Sequence, residues 1–383
     1  MTSAVSLAEP GDPMRAFHST VFAASLLALA AAGFPGGATA QEEKVLNVYN
    51  WSDYIAPDTL EKFTQETGIK VNYDVYDGNE ILEAKLLAGK SGYDVVFPSA
   101  SPFLANHIKA NVYRKLDRAK LPNIANVQPE SMKALETSDP GNLYAVPYMT
   151  APTGIGYNVA KIKALLPSAP TDSWALLFDP KVTQKLQACG ISLLDASDEV
   201  FPAVFAYTGQ VPTNLDPKQL DAAAAVLAKI RPHLKYIHSS SYINDLANGD
   251  LCVAHGYGGD LVQARERAKE ANKGVEIKVI VPKEGTNMVT DVMAVPADAP
   301  HPDNAHKFID FLMRPEIIGA ITNAVGYANS IKGAEKFVTP EIQNDPAIYP
   351  PDAIRAKLFV PPVAPQDYLR NRTRAWTRFK SRY

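Results

Sequence analysis

Four acidic residues in this sequence stand close to aromatic or hydroxyl side chains, at the predicted ends of elements or inside an apolar strand. They are Asp53, Glu199, Asp260 and Asp291. Asp53 lies between Trp51 and Tyr54, and Asp260 follows Tyr257 after two glycines. Each acid alone has an ordinary explanation, as a charge at a helix start or as a residue on a solvated face. As a set, they predict several carboxylates and aromatic rings around one cleft.

Carboxylates beside aromatic rings suit an organic ammonium ligand. A buried carboxylate needs a cationic partner or hydrogen bonds. An ammonium group supplies both, through charge-assisted N–H···O contacts and through attraction to ring faces worth on the order of 0.5–2 kcal/mol each. A hard metal ion also binds carboxylates but gains little from an aromatic wall. Acids at two ends of a cleft with rings between them indicate an aliphatic diamine, whose methylene groups pack on the rings.

Composition and missing motifs exclude several classes of protein. The 383 residues carry a formal net charge of −3, without the basic excess typical of a nucleic-acid binder. No Walker-type phosphate loop, HExxH or GxSxG motif is present, and the seven histidines are scattered. The glycine-rich run 256–260 lacks the lysine of a phosphate loop and ends in an acid. An exported hydrolase using Asp53 and Asp260 as general acid and base stays an alternative, although no catalytic motif supports it.

The first part of the chain alternates between strand and helix patterns. Strands are predicted at 45–51, 69–76 and 93–98, and helices at 57–67 and 80–88. This β-α-β-α-β order predicts a mostly parallel sheet with helices on both faces. Ligands bind such sheets beyond the carboxyl ends of the strands. The segments 51–54 and 98–101 follow two of these strands, so we expect both at one cleft.

The rest of the chain predicts a second lobe inserted into the first. Extended segments at 144–148 and 153–157 precede helices at 216–230, 240–247 and 259–271, strands at 275–282 and 289–295, and a helix at 306–313. We expect lobe 1 to comprise 41–148 plus about 280–327. Lobe 2 would comprise about 149–279 plus 328–383, with extended crossovers between the two.

Residues 1–40 are predicted to be a cleaved signal peptide. Arg15 supplies a positive charge, a short apolar run follows it, and Ala38-Thr39-Ala40 gives a cleavage signal. Two acids upstream of Arg15 leave open whether translation starts at Met1 or Met14. The apolar run is too short to span a membrane, and no later segment reaches about 20 apolar residues. We therefore expect an exported protein in the periplasm, without membrane insertion.

Two cysteines, Cys189 and Cys252, remain in the mature chain. In an oxidising compartment an even pair is typical of a disulfide. Two separate buried thiols are the alternative. A disulfide closing this loop would stabilise the fold by roughly 4 kcal/mol in the chain-entropy model. Two cysteines alone do not make a zinc site, so none is predicted.

Longer segments resemble the periplasmic polyamine-binding proteins of bacterial ABC importers, particularly their putrescine-binding branch. From about residue 45 to the C-terminus these segments are YNWSDYIAPDT, DVVFPSAS, PYMTAPTGIGYN, HSSSYINDLANGD, PKEGTNMVTDV, RPEIIGAI, YANS and IYPPDAIRAKLF. So many collinear matches are more specific than any single motif. The resemblance implies an α/β, two-lobed periplasmic-binding-protein clamshell of type II. Each lobe would be a mostly parallel sheet flanked by helices, with the ligand in the inter-lobe cleft.

The resemblance also implies a set of ligand-binding residues. These are Trp51, Ser52, Asp53, Ser99, Glu199, Ser240, Tyr257, Asp260, Asp291 and Tyr327. By this similarity Asp53 and Asp291 hold one ammonium group. Glu199 and Asp260 hold the other.

Three wall positions depart from the family pattern. Tyr257 stands where the putrescine-binding branch usually has Trp, Val289 where it has Phe, and Thr150 where it has another Trp. Pro102 is also inserted after Ser101. The four acids are retained, so a cationic ligand is still expected. The length of the methylene chain that the cleft accepts stays open.

The expected function is capture of a polyamine in the periplasm and its delivery to an inner-membrane ABC permease and its ATPase. Putrescine is the first expectation and spermidine the second. An agmatine- or opine-like cation, or a sensor that presents a polyamine to a receptor, are the alternatives. We expect a monomer without enzyme activity, cofactor or metal. The resemblance further implies that Cys189 and Cys252 form a disulfide.

Overall fold

The computed structural model describes residues 42–381. The predicted signal peptide, its cleavage point and the last two residues lie outside this range. The helices are α1 Thr59–Thr67, α2 Asn79–Leu87, α3 Ala105–Lys109, α4 Pro129–Leu135, α5 Val159–Leu165, α6 Ala175–Phe178, α7 Pro180–Leu186, α8 Ser197–Tyr207, α9 Pro217–Ile230, α10 Tyr242–Asn248, α11 Gly258–Ala271, α12 Pro302–Leu312, α13 Pro315–Val325, α14 Pro340–Gln343, α15 Asp352–Arg355 and α16 Gln366–Ser381. The strands are β1 Val45–Trp51, β2 Lys70–Tyr76, β3 Val95–Val96, β4 Ala145–Asn158, β5 Ile191–Leu193, β6 Tyr236–Ile237, β7 Val253–Tyr257, β8 Ile277–Ile280, β9 Met288–Ala294 and β10 Ala328–Asn329. Of the helices within 42–381, none has the length and apolar character needed to cross a membrane.

The strands pair in the order β2-β1-β3-β9-β4-β7-β5-β6, and β8 and β10 also pair with β4. At one side β1 is parallel to β2 and β3, and at the other β5 is parallel to β6 and β7. Between them, β4 and β9 are antiparallel neighbours. Parallel pairs occur where helices connect consecutive strands, because each crossover brings the chain back to the end of the sheet at which the previous strand began. The predicted α/β fold with parallel strands is thereby confirmed.

One strand, β4, links the two parallel parts of the sheet. Its residues 145–152 pair with β9, and residues 153–157 pair with β7. The sequence predicted two separate extended segments here, but they form one continuous strand. Nearly all of its side chains are buried, which fits its apolar composition without polar alternation.

The two halves of this linking strand belong to two large hydrophobic cores, residues 145–151 to the first and residues 155–157 to the second. The first core includes Phe97 and Phe308, and the second includes Trp174 and Phe201. Tyr257, at the end of β7, packs against both cores. The lobe boundaries given above stay a prediction.

Helix α8 was not predicted from the sequence. Pro202 in its interior is untypical of a helix, yet ten of its eleven residues are buried and tertiary packing holds it. Its first turn carries Asp198 and Glu199. The position of these two acids therefore depends on an element that local sequence patterns do not indicate.

The predicted disulfide is confirmed: Cys189 and Cys252 are bonded, with their Cα atoms 5.5 Å apart. It connects the segment before β5 to the segment before β7. At the C-terminus, α16 buries Trp376 and Phe379 in the second core. Basic side chains occupy the other faces of this helix, and Lys380 Nζ lies 2.7 Å from Asp195 Oδ1.

Candidate functional site

A narrow cavity lies where the carboxyl end of β1 meets β9 and the amino end of α11. The space open to the centre of a water molecule is about 30 Å³, compared with about 10–15 Å³ for one bound water. The cavity is lined by Trp51, Ser52, Tyr54, Tyr76, Asp77, Ser99, Ala151, Ser239, Ser240, Ile243, Tyr257, Asp260, Val289, Asp291 and Tyr327. The segments that follow β1 and β3 therefore meet at one site, as parallel pairing requires.

Eight of the predicted ligand residues line this cavity. They are Trp51, Ser52, Ser99, Ser240, Tyr257, Asp260, Asp291 and Tyr327. Asp53 and Glu199 are not among the lining residues. The structure thus places most of the predicted set together, while ligand contact by each residue stays a prediction.

Asp291, in β9, is buried and accepts two hydrogen bonds. The Tyr54 hydroxyl donates to Oδ2 at 2.8 Å and the Ser99 hydroxyl donates to Oδ1 at 2.6 Å. Asn79 Nδ2 donates to the Ser99 hydroxyl at 2.9 Å, which leaves the hydroxyl proton directed at Asp291. Burial raises the pKa of Asp291 to about 6, although both hydrogen bonds favour its charged form.

Asp260, in the first turn of α11, has the same type of environment. The Tyr327 hydroxyl donates to Oδ1 and the Tyr242 hydroxyl donates to Oδ2, both at 2.7 Å. Burial raises the pKa of Asp260 to about 7 in spite of these two hydrogen bonds. Within residues 42–381, neither Asp260 nor Asp291 forms an ion pair with a basic side chain.

The glycine-rich run before Asp260 is required for this packing. A Cβ atom on Gly259 would lie 1.9 Å from Tyr327 Cδ2, and one on Gly256 would lie 2.5 Å from Tyr242 Cε2. Any side chain at these positions would displace the tyrosines that hold the carboxylate. The run that is excluded as a phosphate loop therefore has a structural role at the site.

Aromatic rings form the rest of the cavity wall. The Trp51 ring is fixed by a 2.7 Å hydrogen bond from Nε1 to the Phe97 carbonyl, and it lies 5.9 Å from the Tyr257 ring. The rings of Tyr54 and Tyr327 are 4.6 Å apart and nearly perpendicular. Tyr54 binds Asp291 and Tyr327 binds Asp260. Because the two rings are in contact, both carboxylates belong to one site.

Asp53 lies just beyond β1 and forms an ion pair with Arg267 of α11, 2.6 Å between Oδ1 and Nη2. Its side chain is 37% exposed, and its backbone has a positive φ of 55°. Gln263 Nε2 also donates to the Asp53 carbonyl at 3.1 Å. Asp53 therefore bridges the end of β1 to α11, and its predicted contact with an ammonium group stays a prediction.

Glu199 is buried but lies outside the cavity lining. Its Oε1 accepts a hydrogen bond from Asn287 Nδ2 at 2.7 Å. Burial is the main cause that raises the pKa of Glu199 to about 8, and the negative charge of Asp198 is the second. Its predicted pairing with Asp260 around one ammonium group stays a prediction.

The rim of the cavity carries another acid–base pair. Asp77 Oδ2 lies 3.8 Å from His238 Nε2. The backbone N–H groups of Ser240 and Ser241 donate to His238 Nδ1 at 3.1 and 3.2 Å. Because a backbone N–H can only donate, Nδ1 is the acceptor nitrogen and the ring proton on Nε2 faces Asp77.

A family model described as bacterial extracellular solute-binding protein matches residues 58–350. The chain belongs to this family.

Two relatives of this solute-binding protein are putrescine-binding periplasmic proteins. SpuD of Pseudomonas aeruginosa (strain UCBPP-PA14) is 54% identical over 362 residues, which cover 94% of this chain and 98% of that protein. PotF of Escherichia coli (strain K12) is 50% identical over 347 residues, which cover 90% and 94%. A solved structure, a putative spermidine/putrescine ABC transporter from Listeria monocytogenes, matches with a TM-score of 0.78 at 30% identity and covers 88% of this chain and 99% of that one. The predicted family and the predicted two-lobed fold are confirmed.

Several residues that build the site of the solute-binding protein were missed by sequence reasoning. Tyr54 and Asp77 line the cavity, while Tyr242 and Asn79 orient its acids from behind. Tyr54 stands within the stretch that carries Trp51 and could have been included. No local signal indicates Tyr242, because it lies on another helix than Asp260 and reaches it only in the folded chain.

Proposed function

We propose that this protein binds a diamine, putrescine in the first place, and presents it in the periplasm to an inner-membrane ABC permease and its ATPase. The observation that carries the proposal is the pair of buried acids, Asp260 and Asp291. Each accepts hydrogen bonds from two hydroxyl groups, and neither forms an ion pair with a basic side chain among the described residues. An ammonium group at each carboxylate would supply the missing positive charge.

The walls of the cavity suit the methylene groups of such a ligand. Trp51 and Tyr257 offer apolar ring surface, and ring faces also attract an ammonium group. A metal ion is less well matched, since no group of three or more His, Cys, Asp or Glu side chains in residues 42–381 is placed to hold one. The relatives SpuD and PotF are putrescine-binding proteins, which supports putrescine as the ligand.

The proposal is tested by calorimetric titration with putrescine and by a thermal-shift panel of diamines, triamines, agmatine and cationic amino acids. A ligand that binds only the folded protein raises its melting temperature. We expect putrescine to produce a clear shift and cationic amino acids to produce none. If agmatine produces a larger shift than every aliphatic diamine, the proposed ligand class is wrong.

A variant of one of the two buried acids tests whether the diamine binds in the cavity. Asp291→Asn should lower putrescine affinity well over tenfold, because it removes a charge-assisted contact worth roughly 1.5–3 kcal/mol. Asp245→Asn is a matched control, since Asp245 also accepts a tyrosine hydroxyl, from Tyr236 at 2.7 Å, but does not line the cavity. Equal putrescine affinity of the parent protein, Asp291→Asn and Asp245→Asn would contradict binding at this cavity.

A single monomeric species in light scattering is also expected.

A further inference from the structure

The acid–base pair at the rim of the cavity, Asp77 and His238, is called here the rim pair. Asp77 Oδ2 and His238 Nε2 are 3.8 Å apart. Asp77 lines the cavity together with Ser239 and Ser240, which follow His238. The two side chains of the pair are 29% and 46% exposed, whereas the acids proposed to hold the ammonium groups are buried. The rim pair therefore lies on the solvent side of these acids.

Asp77 directly follows β2, and the end of that strand is fixed in the first core. Tyr76, the last residue of β2, is buried there, and its hydroxyl donates to the Phe97 carbonyl at 2.6 Å. The Tyr76 carbonyl accepts a hydrogen bond from the Ser52 N–H at 2.9 Å. The backbone at Asp77 is therefore tied to the first core.

His238 directly follows β6, and its backbone is fixed to the second core. Ile237 of β6 pairs with Leu193 of β5 and packs against that core. The His238 N–H donates to the Leu193 carbonyl at 3.0 Å. The next residue, Ser239, accepts a hydrogen bond at its hydroxyl from the Asp195 N–H at 3.1 Å. The rim pair thus connects two supports that belong to different cores.

The imidazole ring of His238 is oriented by its own turn. Its Nδ1 atom accepts from the backbone N–H groups of Ser240 and Ser241 at 3.1 and 3.2 Å, which leaves Nε2 to face Asp77. In the part of the chain that the structure describes, His238 is the one basic side chain within 4.0 Å of Asp77. At 3.8 Å the contact is longer than a hydrogen bond, so a small displacement of either support breaks it.

The cavity must widen before an amine can enter or leave. The space open to the centre of a water molecule is about 30 Å³, which is room for two or three waters. Widening that moves one core away from the other separates Asp77 from His238, because the backbone on each side is fixed. The attraction within the rim pair therefore opposes opening of the cavity.

We propose that Asp77 and His238 are positioning residues that hold the rim of the cavity closed and thereby set the rate at which the bound amine dissociates. The proposal rests on the proposed function, because it assumes that the amine occupies this cavity. Neither residue needs to touch the ligand. Asp77 acts through His238, and His238 acts through the segment that carries Ser239 and Ser240.

The test measures putrescine dissociation and association separately. Dissociation is followed as the release of labelled putrescine after addition of excess unlabelled putrescine, and association is followed by tryptophan fluorescence on rapid mixing. Asp77→Asn and His238→Asn should each release putrescine about threefold faster, as expected for a partly exposed pair. Both should leave the association rate within about twofold of the parent protein.

His238→Asn separates the rim pair from the fold of its turn. An Asn side-chain oxygen can accept the same backbone N–H groups two and three residues ahead, but its shorter side chain does not reach Asp77. A direct charge effect on the ligand would have the opposite sign. His238 is neutral or positive, so its loss would leave release of a cation unchanged or slow it.

The double variant Asp77→Asn/His238→Asn should release putrescine no faster than either single variant, because the two residues act as one contact. Asp74→Asn is the matched control. Asp74 is another exposed acid of β2, and it accepts a hydrogen bond from the Tyr93 hydroxyl at 2.9 Å but does not line the cavity. It should leave both rates within about twofold of the parent protein.

Every other outcome overturns the inference. If Asp77→Asn speeds release and His238→Asn does not, Asp77 acts on the charge of the ligand and the rim pair holds nothing closed. Additive effects in the double variant would show two separate roles, and an equal effect of Asp74→Asn would show a general influence of negative charge on β2. Unchanged rates in both single variants would refute the inference and leave the proposed function intact. If the parent protein binds no putrescine, the proposed function fails and the inference fails with it.

Discussion

At the scale of single residues, Asp260 and Asp291 are carboxylates whose surroundings favour the neutral form until a cation arrives. Burial raises their pKa values to about 7 and about 6, whereas tyrosine and serine hydroxyls favour the charged form. Hydroxyl groups alone do not compensate the lost hydration. The site is therefore prepared to accept positive charge.

Binding of a diamine should consequently depend on pH. An ammonium group binds the ionised form of each acid. Below about pH 7 binding must therefore release a proton from Asp260, and below about pH 6 it must also release one from Asp291. We expect affinity to fall as pH decreases from about 8 to about 5.5, by up to roughly tenfold per pH unit for each protonated acid. Calorimetry in buffers of different ionisation enthalpy would measure the released protons. A constant affinity across this range would contradict the raised pKa values.

Without ligand, these acids should make the free energy of unfolding depend on pH in the direction opposite to that of an ordinary paired carboxylate. Between the usual pKa of 3.8 and about 7, folded Asp260 holds a proton that the unfolded chain does not hold. The free energy of unfolding therefore falls as pH rises through this window. Asp260→Asn should remove this contribution, so the unliganded variant at about pH 8 should be as stable as the parent or more stable, while its polyamine-induced thermal shift should be largely lost. A variant that is much less stable at this pH would show that the carboxylate is needed for folding.

At the scale of elements, the Asp53–Arg267 pair joins the end of β1 to α11. Trp51 and Tyr54 beside Asp53 belong to the first core, whereas α11 buries Leu261 and Ala264 in the second. The pair thus connects segments anchored in different cores near the cavity. Because both side chains are about one-third exposed, its contribution to overall stability is expected to be at most about 1 kcal/mol.

We expect Arg267→Gln to weaken diamine binding a few-fold, mainly through faster dissociation, with little change in thermal unfolding. The reason is that the pair holds the two sides of the cavity together once the ligand is inside. Stopped-flow displacement of bound putrescine would measure the dissociation rate. Arg314→Gln is the control, because its 2.7 Å pair with Glu66 is similarly exposed but joins two segments that both pack in the first core. A large loss with Asp53→Asn and none with Arg267→Gln would instead indicate that Asp53 contacts the ligand directly.

At the scale of the whole molecule, the disulfide closes a loop of 63 residues that includes α8 and α9. In the chain-entropy model it stabilises the fold by roughly 4 kcal/mol. Replacing both Cys189 and Cys252 by Ser should therefore lower the thermal midpoint by several degrees, while putrescine affinity at about 25 °C should change little because neither cysteine lines the cavity. A similar loss of affinity and stability would show that the bond also positions α8.

Much of this organisation could be predicted from the sequence because it depends on local patterns. Strand β1 was predicted with its observed bounds, and α9 to within one residue, since Asp216 caps that helix by accepting from the Lys218 N–H. Helix α8 was missed, because its packing overrides a local pattern that includes Pro202. The order of strands and helices also predicted the parallel pairs, and hence the edge at which Ser52 and Ser99 meet.

By itself, the sequence determined which residue types could hold a cation and at which ends of strands they stand, because strand periodicity and the order of elements are local properties. Only the tertiary structure decided how the four predicted acids divide: Asp260 and Asp291 at the cavity, Asp53 on Arg267, and Glu199 on Asn287 outside the cavity lining. The partners that decide this lie far apart along the chain, such as Tyr54 with Asp291, 237 residues away. Local propensity contains no information about such contacts, since they exist only once both cores are packed.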